Sequence, residues 1–467
     1  MPDDSLAVTA PVHLPAAAAA VRRELRAWAA VAISALAVAG VFALLLALSR
    51  IPGIERIAFW PLDFFAKGLV IHVVFSFVVW FAAVFAALAT VAAARLAGGP
   101  LPLPGLGLAA AAAAAAAMPL LFIPALLERG EPTLNNYVPV IIDPLYYAGL
   151  ALLAGAIGLV ALRLLAVARP AALRRDPPAA GTAAAAVALL VALLCFAVAL
   201  NVLAGSGLSF DFNETLMWGG GHLLQFVNTL LLLVAWTMLA SPWSASISRP
   251  LGVASALLLL GALAGPLFYF LFPPFSPAQT AAFTWLQYLL GPAAAIVAIA
   301  LLMRLPQPLP RGEPAFVALT LSMLLFAVGG TLGLFVDGTD TRTPAHYHGM
   351  IAGVTLAFFG LIFVRLLPML GREAGSPRRQ RLILRLFAWG QLAACIGLFA
   401  AGGHGAPRKV AGAAQGLHDA VAKIGMGLNG LGGLIAVIGG ILFIWTVGSA
   451  LLRTPVAAKP GVHETSF

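Results

Sequence analysis

The sequence predicts an all-α membrane protein, a bundle of twelve transmembrane helices. Three observations carry that prediction. Of the 467 residues, 62% are hydrophobic and only 9% are charged. A soluble chain of this size has no way to hide so much apolar surface, and a mean hydropathy of +1.00 makes lipid the solvent. Apolar windows of about 20 residues, the length a helix needs to cross the hydrocarbon, recur along the whole chain. They are too long and too poor in polar residues for barrel strands. Helices are then the structure that satisfies the backbone inside a bilayer.

In chain order the spans are read at 27–49, 67–94, 103–127, 145–167, 181–205, 216–240, 250–272, 281–303, 314–336, 344–368, 383–402 and 424–450. Proline, glycine and charge mark the breaks. Ile51-Pro52-Gly53 ends the first span and Gly98-Gly99-Pro100 the second. Arg174-Arg175-Asp176-Pro177-Pro178 separates the fourth from the fifth, and Gly371-Arg372-Glu373 closes the tenth. The alanine run at 109–117 lies inside the third span. Cys195 and Cys395 fall in the fifth and eleventh spans and read as packing residues with no disulfide. No internal repeat is visible. The chain divides into an N-terminal tail (1–26), a twelve-span domain (27–451) and a C-terminal tail (452–467). Residues 1–21 are alanine-rich. No signal peptide is read there, because the first apolar run is long enough to span.

A net charge of +10 raises nucleic acid as a partner, and its distribution argues against that. An even number of spans puts both termini on one side. That side collects 19 of the 27 Lys and Arg, from Arg22, Arg23 and Arg26 to the cluster Arg378, Arg379, Arg381 and Arg385. The other side holds 8: Arg50, Arg56, Lys67, Arg129, Arg342, Arg408, Lys409 and Lys423. The positive-inside rule then places both termini in the cytoplasm. The basic excess is topological, and no nucleic-acid partner is expected.

Four histidines lie inside the apolar segments: His72, His222, His346 and His348. An ionisable group in hydrocarbon is costly and marks a candidate site. His72 falls early in the second span, His222 early in the sixth, and His346 and His348 open the tenth. All three spans start outside, so all four imidazoles sit in the outer part of the bilayer. At about 100° per residue, His346 and His348 project about 200° apart and face different neighbours. Two planar cofactors, one on each side of the tenth helix, suit that spacing, and the pattern suggests haem between helices. Any one of these histidines taken alone is equally a buried imidazole hydrogen-bonded across helices. Gly402-Gly403-His404-Gly405-Ala406-Pro407-Arg408-Lys409 follows the eleventh span, and Arg408 and Lys409 are placed to pair with haem propionates. A solvated basic loop is the plain alternative.

These motifs resemble the catalytic subunit I of the haem–copper oxidase superfamily, which includes respiratory terminal oxidases and bacterial nitric oxide reductases. The resemblance covers 27–451. It implies two haems, with His72 and His348 as the low-spin pair. His346, in Pro344-Ala345-His346-Tyr347-His348-Gly349, would be the high-spin ligand. His222, in Trp218-Gly219-Gly220-Gly221-His222, matches the first ligand of the copper called CuB, and Pro407-Arg408-Lys409 resembles the family's Pro-Arg-Arg stretch over the propionates. It further implies a bacterial-type inner membrane, an electron-donor subunit or cytochrome c as partner, and O2 or NO as ligand.

The departures from the family are concentrated at copper. Two further CuB ligands, adjacent histidines near the outer end of the seventh span, are replaced here by Phe268-Tyr269-Phe270-Leu271-Phe272-Pro273-Pro274. One imidazole makes a poor copper site. His404 and His418 lie on the outer side but do not match by position. The tyrosine that oxygen-reducing relatives often carry four residues after the first copper ligand is Phe226, with Tyr269 and Tyr288 as substitutes to consider. Every Asp and Glu falls outside the spans as drawn, and no lysine is mid-membrane. Thr229, Asn228, Gln225 and Gln391 remain to support water. Asp143, Asp211, Glu214 and Asp337 are the outer acids from which protons could enter. No Cys-x-x-Cys-His haem attachment motif is present. The sequence leaves three readings: a respiratory haem enzyme that reduces O2 or NO; a copper-free haem protein for electron transfer or gas sensing; and a transporter, which would leave the clustered histidines unexplained.

Overall fold

The computed structural model describes residues 17–50, 54–57, 61–244, 247–336 and 338–453. Asp337, Lys459 and the break Ile51-Pro52-Gly53 lie outside the described residues. Among those described, twelve helices are long and apolar enough to cross a membrane: α1 (Ala19–Ser49), α2 (Phe65–Ala97), α3 (Pro104–Leu126), α4 (Pro144–Val167), α5 (Pro177–Val202), α6 (Phe210–Ala240), α7 (Ser248–Leu271), α8 (Pro277–Leu302), α9 (Pro314–Phe335), α10 (Arg342–Met369), α11 (Pro377–Gly403) and α12 (Ala420–Leu452). The all-α, twelve-span architecture is therefore as the sequence predicted.

Several helices start one or two turns before the apolar windows do, and capping chemistry explains why. Asp143, Asp176, Ser276 and Ser376 each accept a hydrogen bond from a backbone N–H of the first turn, and each is followed by proline. Proline at the first helical position lacks only an N–H that would go unused there. Ser209 caps α6 in the same way, through the N–H of Phe212. The earlier starts correct one expectation. Glu24, Asp211 and Glu214 now fall inside α1 and α6 rather than outside the spans.

Glu24 is fully buried and forms an ion pair with the buried Arg163 of α4. A second bond of the same pair, Arg163 to Glu24 Oε2, spans 2.8 Å. Thr90 of α2 donates to the same carboxylate at 2.6 Å. Gly107 of α3 makes room for the cluster, since a Cβ there would stand 2.2 Å from the carboxylate. Four helices thus meet at one charged knot.

Helix α12 packs against both α11 and α1, which closes the bundle. The α11–α12 contact is close because Gly390 and Gly397 lie against the α12 backbone at Gly432, Ala436 and Gly425. Small residues of this kind let membrane helices approach where burial from water supplies no drive. Burial is uneven. In the most apolar stretch of each span, α2, α6 and α10 are 72%, 78% and 72% buried, against 33–56% in the other nine. The three histidine-bearing helices therefore form the interior, and the rest line its perimeter. The α3–α4 connection carries two short antiparallel strands, β1 (Pro132–Thr133) and β2 (Val140–Ile141). This hairpin lies at the end of the bundle where α2, α6 and α10 begin.

Candidate functional site

The site is built on the first four turns of α2, α6 and α10. His72 lies just before a wider π turn at Val74–Val79, a local feature often found at functional positions. Its Nδ1 bonds the carbonyl of Ala39 in α1 at 3.0 Å. A carbonyl only accepts, so Nδ1 carries the proton and Nε2 keeps its lone pair. His346 is set in the same way, with Nδ1 bonded to the carbonyl of Gly329 in α9 at 2.8 Å. A backbone bond that fixes tautomer and ring direction is how proteins prepare a metal-binding imidazole. Neither Nε2 is hydrogen-bonded to a described residue.

His348 points away from His346, as the i, i+2 spacing requires. It hydrogen-bonds Gln391 of α11 and lies close enough to His72 and Arg50 for their charges to interact. His348 thus lies within electrostatic range of His72, while His346 lies against α9. Arg50, at the end of α1, was not singled out in the sequence. Its guanidinium stands 5.8 Å over the ring of Phe65, and its Nε is buried without a hydrogen-bond partner.

Arg408 and Lys409 follow Pro407, which bridges Asp340 just ahead of α10. Arg408 lies within electrostatic reach of Tyr347. Lys409 donates to the carbonyl of Leu134 in the α3–α4 connection. Burial first, and then the neighbouring Arg408 charge, lowers the Lys409 ammonium to about 8. Both cations therefore lie at the end of the bundle where α10 begins.

His222 is different. Helix α6 begins at Phe210, so His222 sits twelve residues along it, roughly 18 Å at 1.5 Å per residue, rather than the six that the apolar window gave. It is 1% exposed. Its Nδ1 bonds the carbonyl of Trp218 at 2.7 Å, and its Nε2 meets the hydroxyl of Tyr137 at 2.8 Å. The rings of Tyr137 and Trp218 lie 4.3 and 4.8 Å from the imidazole. Burial, and then the Glu214 charge, push the Tyr137 phenol well above its ordinary range, so it remains a donor. The glycines of Trp218-Gly219-Gly220-Gly221-His222 admit aromatic rings. A Cβ at 219, 220 or 221 would collide with Tyr269, Phe196 or Tyr137.

The donors do not suit copper. Among the described residues no group of three His, Cys, Asp or Glu side chains is arranged to hold a metal ion. His404 is exposed and lies 3.1 Å from Asp419, and His418 is exposed, so neither joins His222. Tyr288 is 66% exposed, while Tyr269 packs on Gly219 and Phe283. Phe226 is fully buried beside Gly261.

The family described as Cytochrome C and Quinol oxidase polypeptide I matches residues 24–444. The chain belongs to this family. Cytochrome c oxidase subunit 1 of Thermus thermophilus is 31% identical over 169 residues, which is 33% of this chain and 29% of that protein. Two longer matches are to uncharacterized proteins. One, from Rickettsia prowazekii, is 22% identical over 91% of this chain and 95% of its own length; the other, from Aquifex aeolicus, is 28% identical over 73% and 83%. Among solved structures, a heme-copper terminal oxidase dimer superposes with a TM-score of 0.77 over 94% of this chain and 85% of that one, at 16% identity. At that identity the likeness is one of fold, and it agrees with the haem–copper oxidase subunit I resemblance.

Proposed function

We propose that this subunit I homologue is a respiratory haem protein. In this reading it takes electrons from a donor subunit or cytochrome c and passes them from a low-spin haem to a high-spin haem that serves O2 or NO. One observation carries the proposal. Two imidazoles on the most buried helices, His72 and His346, are locked by backbone carbonyls with Nε2 lone pairs left open, and a third, His348, stands beside the first. His72 and His348 would hold the low-spin haem, and His346 the high-spin one. Haem would supply one-electron chemistry and, where one axial position stays open, a place for a diatomic ligand.

The chain's own residues perform the rest. The carbonyls of Ala39 and Gly329 aim the rings and strengthen them as ligands. Arg50, Arg408 and Lys409 offer charge-assisted bonds to carboxylates, and the orphaned Nε of Arg50 fits an acceptor from outside the protein. His222 would line the ligand side of the pocket. The perimeter helices exclude water and so strengthen each of these interactions. The cytoplasmic placement of both termini, in a bacterial-type inner membrane, is part of the same reading.

One observation favours a second reading, a copper-free haem protein that transfers electrons or senses a gas. The lone pair of His222 that a copper would need is taken by Tyr137. Metal analysis of the purified protein separates the two: two haems with one copper supports the enzyme, haem alone the second reading. His72→Ala tests the assignment itself. It should abolish the low-spin optical signal and spare the high-spin one. Survival of both signals unchanged would show that His72 is not a ligand.

A further inference from the structure

Three arginines fall inside the apolar windows of the sequence: Arg163 in α4, Arg365 in α10 and Arg385 in α11. A guanidinium at that depth is costly unless something pairs with it. Two of the three have protein partners. Arg163 is buried against Glu24, and Arg365 donates to the Met238 carbonyl at 3.1 Å. Arg385 is exposed and makes no hydrogen bond or ion pair with a described residue. It sits eight residues along its helix, roughly 12 Å from Pro377, past Ile383 where the apolar window opens. The bias of basic residues to one side of a membrane accounts for arginines in connections and at helix starts. It does not account for one on an outward face inside a span.

Arg385 belongs to a strip. At about 100° per residue, Arg378, Leu382, Arg385, Trp389 and Ile396 fall within about 60° of one another on α11. Leu382, Trp389 and Ile396 are 53%, 51% and 50% exposed. Gly390 and Gly397, about 110° round the helix, lie against α12. Arg381, about 60° to the other side, donates to the carbonyl of Gly312 just ahead of α9. The strip therefore looks outward between α9 and α12. Helical side chains lean toward the start of their helix, which carries Arg385 back toward Arg381 and Arg378. Like charges three and four residues apart repel, and α11 contains no Asp or Glu to offset them. Glu313 and Glu373, the acids of the adjoining connections, are exposed and form no ion pair with a described residue.

We propose that this strip of α11 binds an anionic phospholipid of the surrounding bilayer. The phosphate lies among the guanidiniums of Arg378, Arg381 and Arg385, and an acyl chain follows Leu382, Trp389 and Ile396 into the hydrocarbon. The phosphate supplies the negative charge that the helix lacks, through the charge-assisted bonds for which a guanidinium is shaped. Arg381 keeps donors to spare beyond the one on Gly312. A zwitterionic lipid brings its own cation to the same place and gains less. The apolar half of the strip selects the source. An acidic peptide matches the arginines and leaves Leu382, Trp389 and Ile396 unused, whereas a lipid uses both halves. The strip lies at the end of the bundle opposite the histidines and is independent of haem.

The test uses the full-length protein in phosphatidylcholine vesicles with a minor share of phosphatidylglycerol, and with bromine on the acyl chains of one lipid or the other. Bromine quenches an indole that it touches, and the part due to Trp389 is the difference between the wild type and Trp389→Phe. The expected result is that brominated phosphatidylglycerol quenches Trp389 more than an equal amount of brominated phosphatidylcholine. Arg385→Gln should weaken that preference roughly fivefold, the scale of one cation at an anionic membrane surface. Arg174→Gln, which removes an exposed charge at the same end of the bundle, should leave it unchanged. Equal quenching by the two lipids overturns the proposal, and that comparison stands whether or not Arg385→Gln folds. A loss of equal size in Arg385→Gln and Arg174→Gln also overturns it, since the attraction would then belong to the whole surface. A Trp389 that neither lipid quenches overturns it in favour of a protein cover, an acidic partner helix or a second copy of this chain.

Discussion

Replacing Gly333 with alanine should dislodge His346 without disturbing the backbone. Gly333 closes the α-helical part of α9 at φ −60°, an ordinary value for alanine. The added Cβ would stand 2.5 Å from Nδ1 of His346, 2.7 Å from Cε1 and 3.3 Å from Cγ. Non-bonded atoms of this kind settle at about 3.5–4.0 Å, so the ring must retreat by about 1 Å. The edge under pressure is the one that bonds the Gly329 carbonyl at 2.8 Å, and that bond does not survive such a shift. One hydrogen bond contributes about 1 kcal/mol and overpacking about 1–3 kcal/mol, together about 2–4 kcal/mol. That is roughly a 30-fold to 800-fold change in the equilibrium that keeps the ring in place. Gly330→Ala is the matched control on the same helix, since its Cβ would approach only the Met350 sulfur, at 3.8 Å. Optical and electron paramagnetic resonance spectra of the haem-loaded variants give the readout. Gly333→Ala should lose or broaden the high-spin signal and keep the low-spin one, while Gly330→Ala matches the wild type. Two variants indistinguishable in both signals would refute the placement of His346.

Three other outcomes follow from the charged groups. Arg163→Leu strands the fully buried Glu24 carboxylate and should destabilise the protein by about 3–5 kcal/mol, read from the midpoint of unfolding in a detergent titration. Arg163→Leu combined with Glu24→Leu should recover part of that loss; a double variant worse than either single one contradicts a buried pair. Lys409 is held at about 8, below its ordinary 10.5, so its buried charge burdens the haem-free protein below about pH 8. That burden lifts as pH climbs toward 10.5, and haem-free stability should rise across the window. Binding of a carboxylate needs the protonated amine, so haem retention should weaken as pH passes about 8, and Lys409→Met should remove both dependences. Proton pumping in reconstituted vesicles should be weak or absent, because Glu24, the buried acid of α1, is already paired; robust outward ejection during turnover would contradict this.

The fold was legible because lipid imposes a simple rule, and twelve apolar windows obey it. Helix starts were less legible because their signal is not hydropathy. Asp143-Pro144, Asp176-Pro177, Ser276-Pro277 and Ser376-Pro377 announce them through capping, and reading those pairs first would have moved the boundaries outward. The histidines on α2 and α10 could be read because an ionisable group in an apolar run stands out. Tyr137 could not, since it lies in a polar connection where a tyrosine is unexceptional. Its importance comes from a contact 85 residues away, with His222. The glycine triplet ahead of His222 was the one local hint. Three adjacent glycines in a helix cost stability and ask what large groups must approach there. Arg50 was counted only as a topological charge, and its orphaned Nε is visible only once α1 and α2 are packed.

The bond from Lys409 to Leu134 joins residues 275 positions apart, so the two partners are made at different times. At about 5–20 residues per second, a ribosome needs roughly 14 to 55 s to travel from one to the other. During that interval the hairpin is held by Glu214 and by its own ladder, without the Lys409 tie. If haem binds as proposed, one present during synthesis would meet this connection before the Lys409 tie exists, and one added afterwards would meet it already tied. The order of translation thereby fixes when these two parts of the chain are tied together.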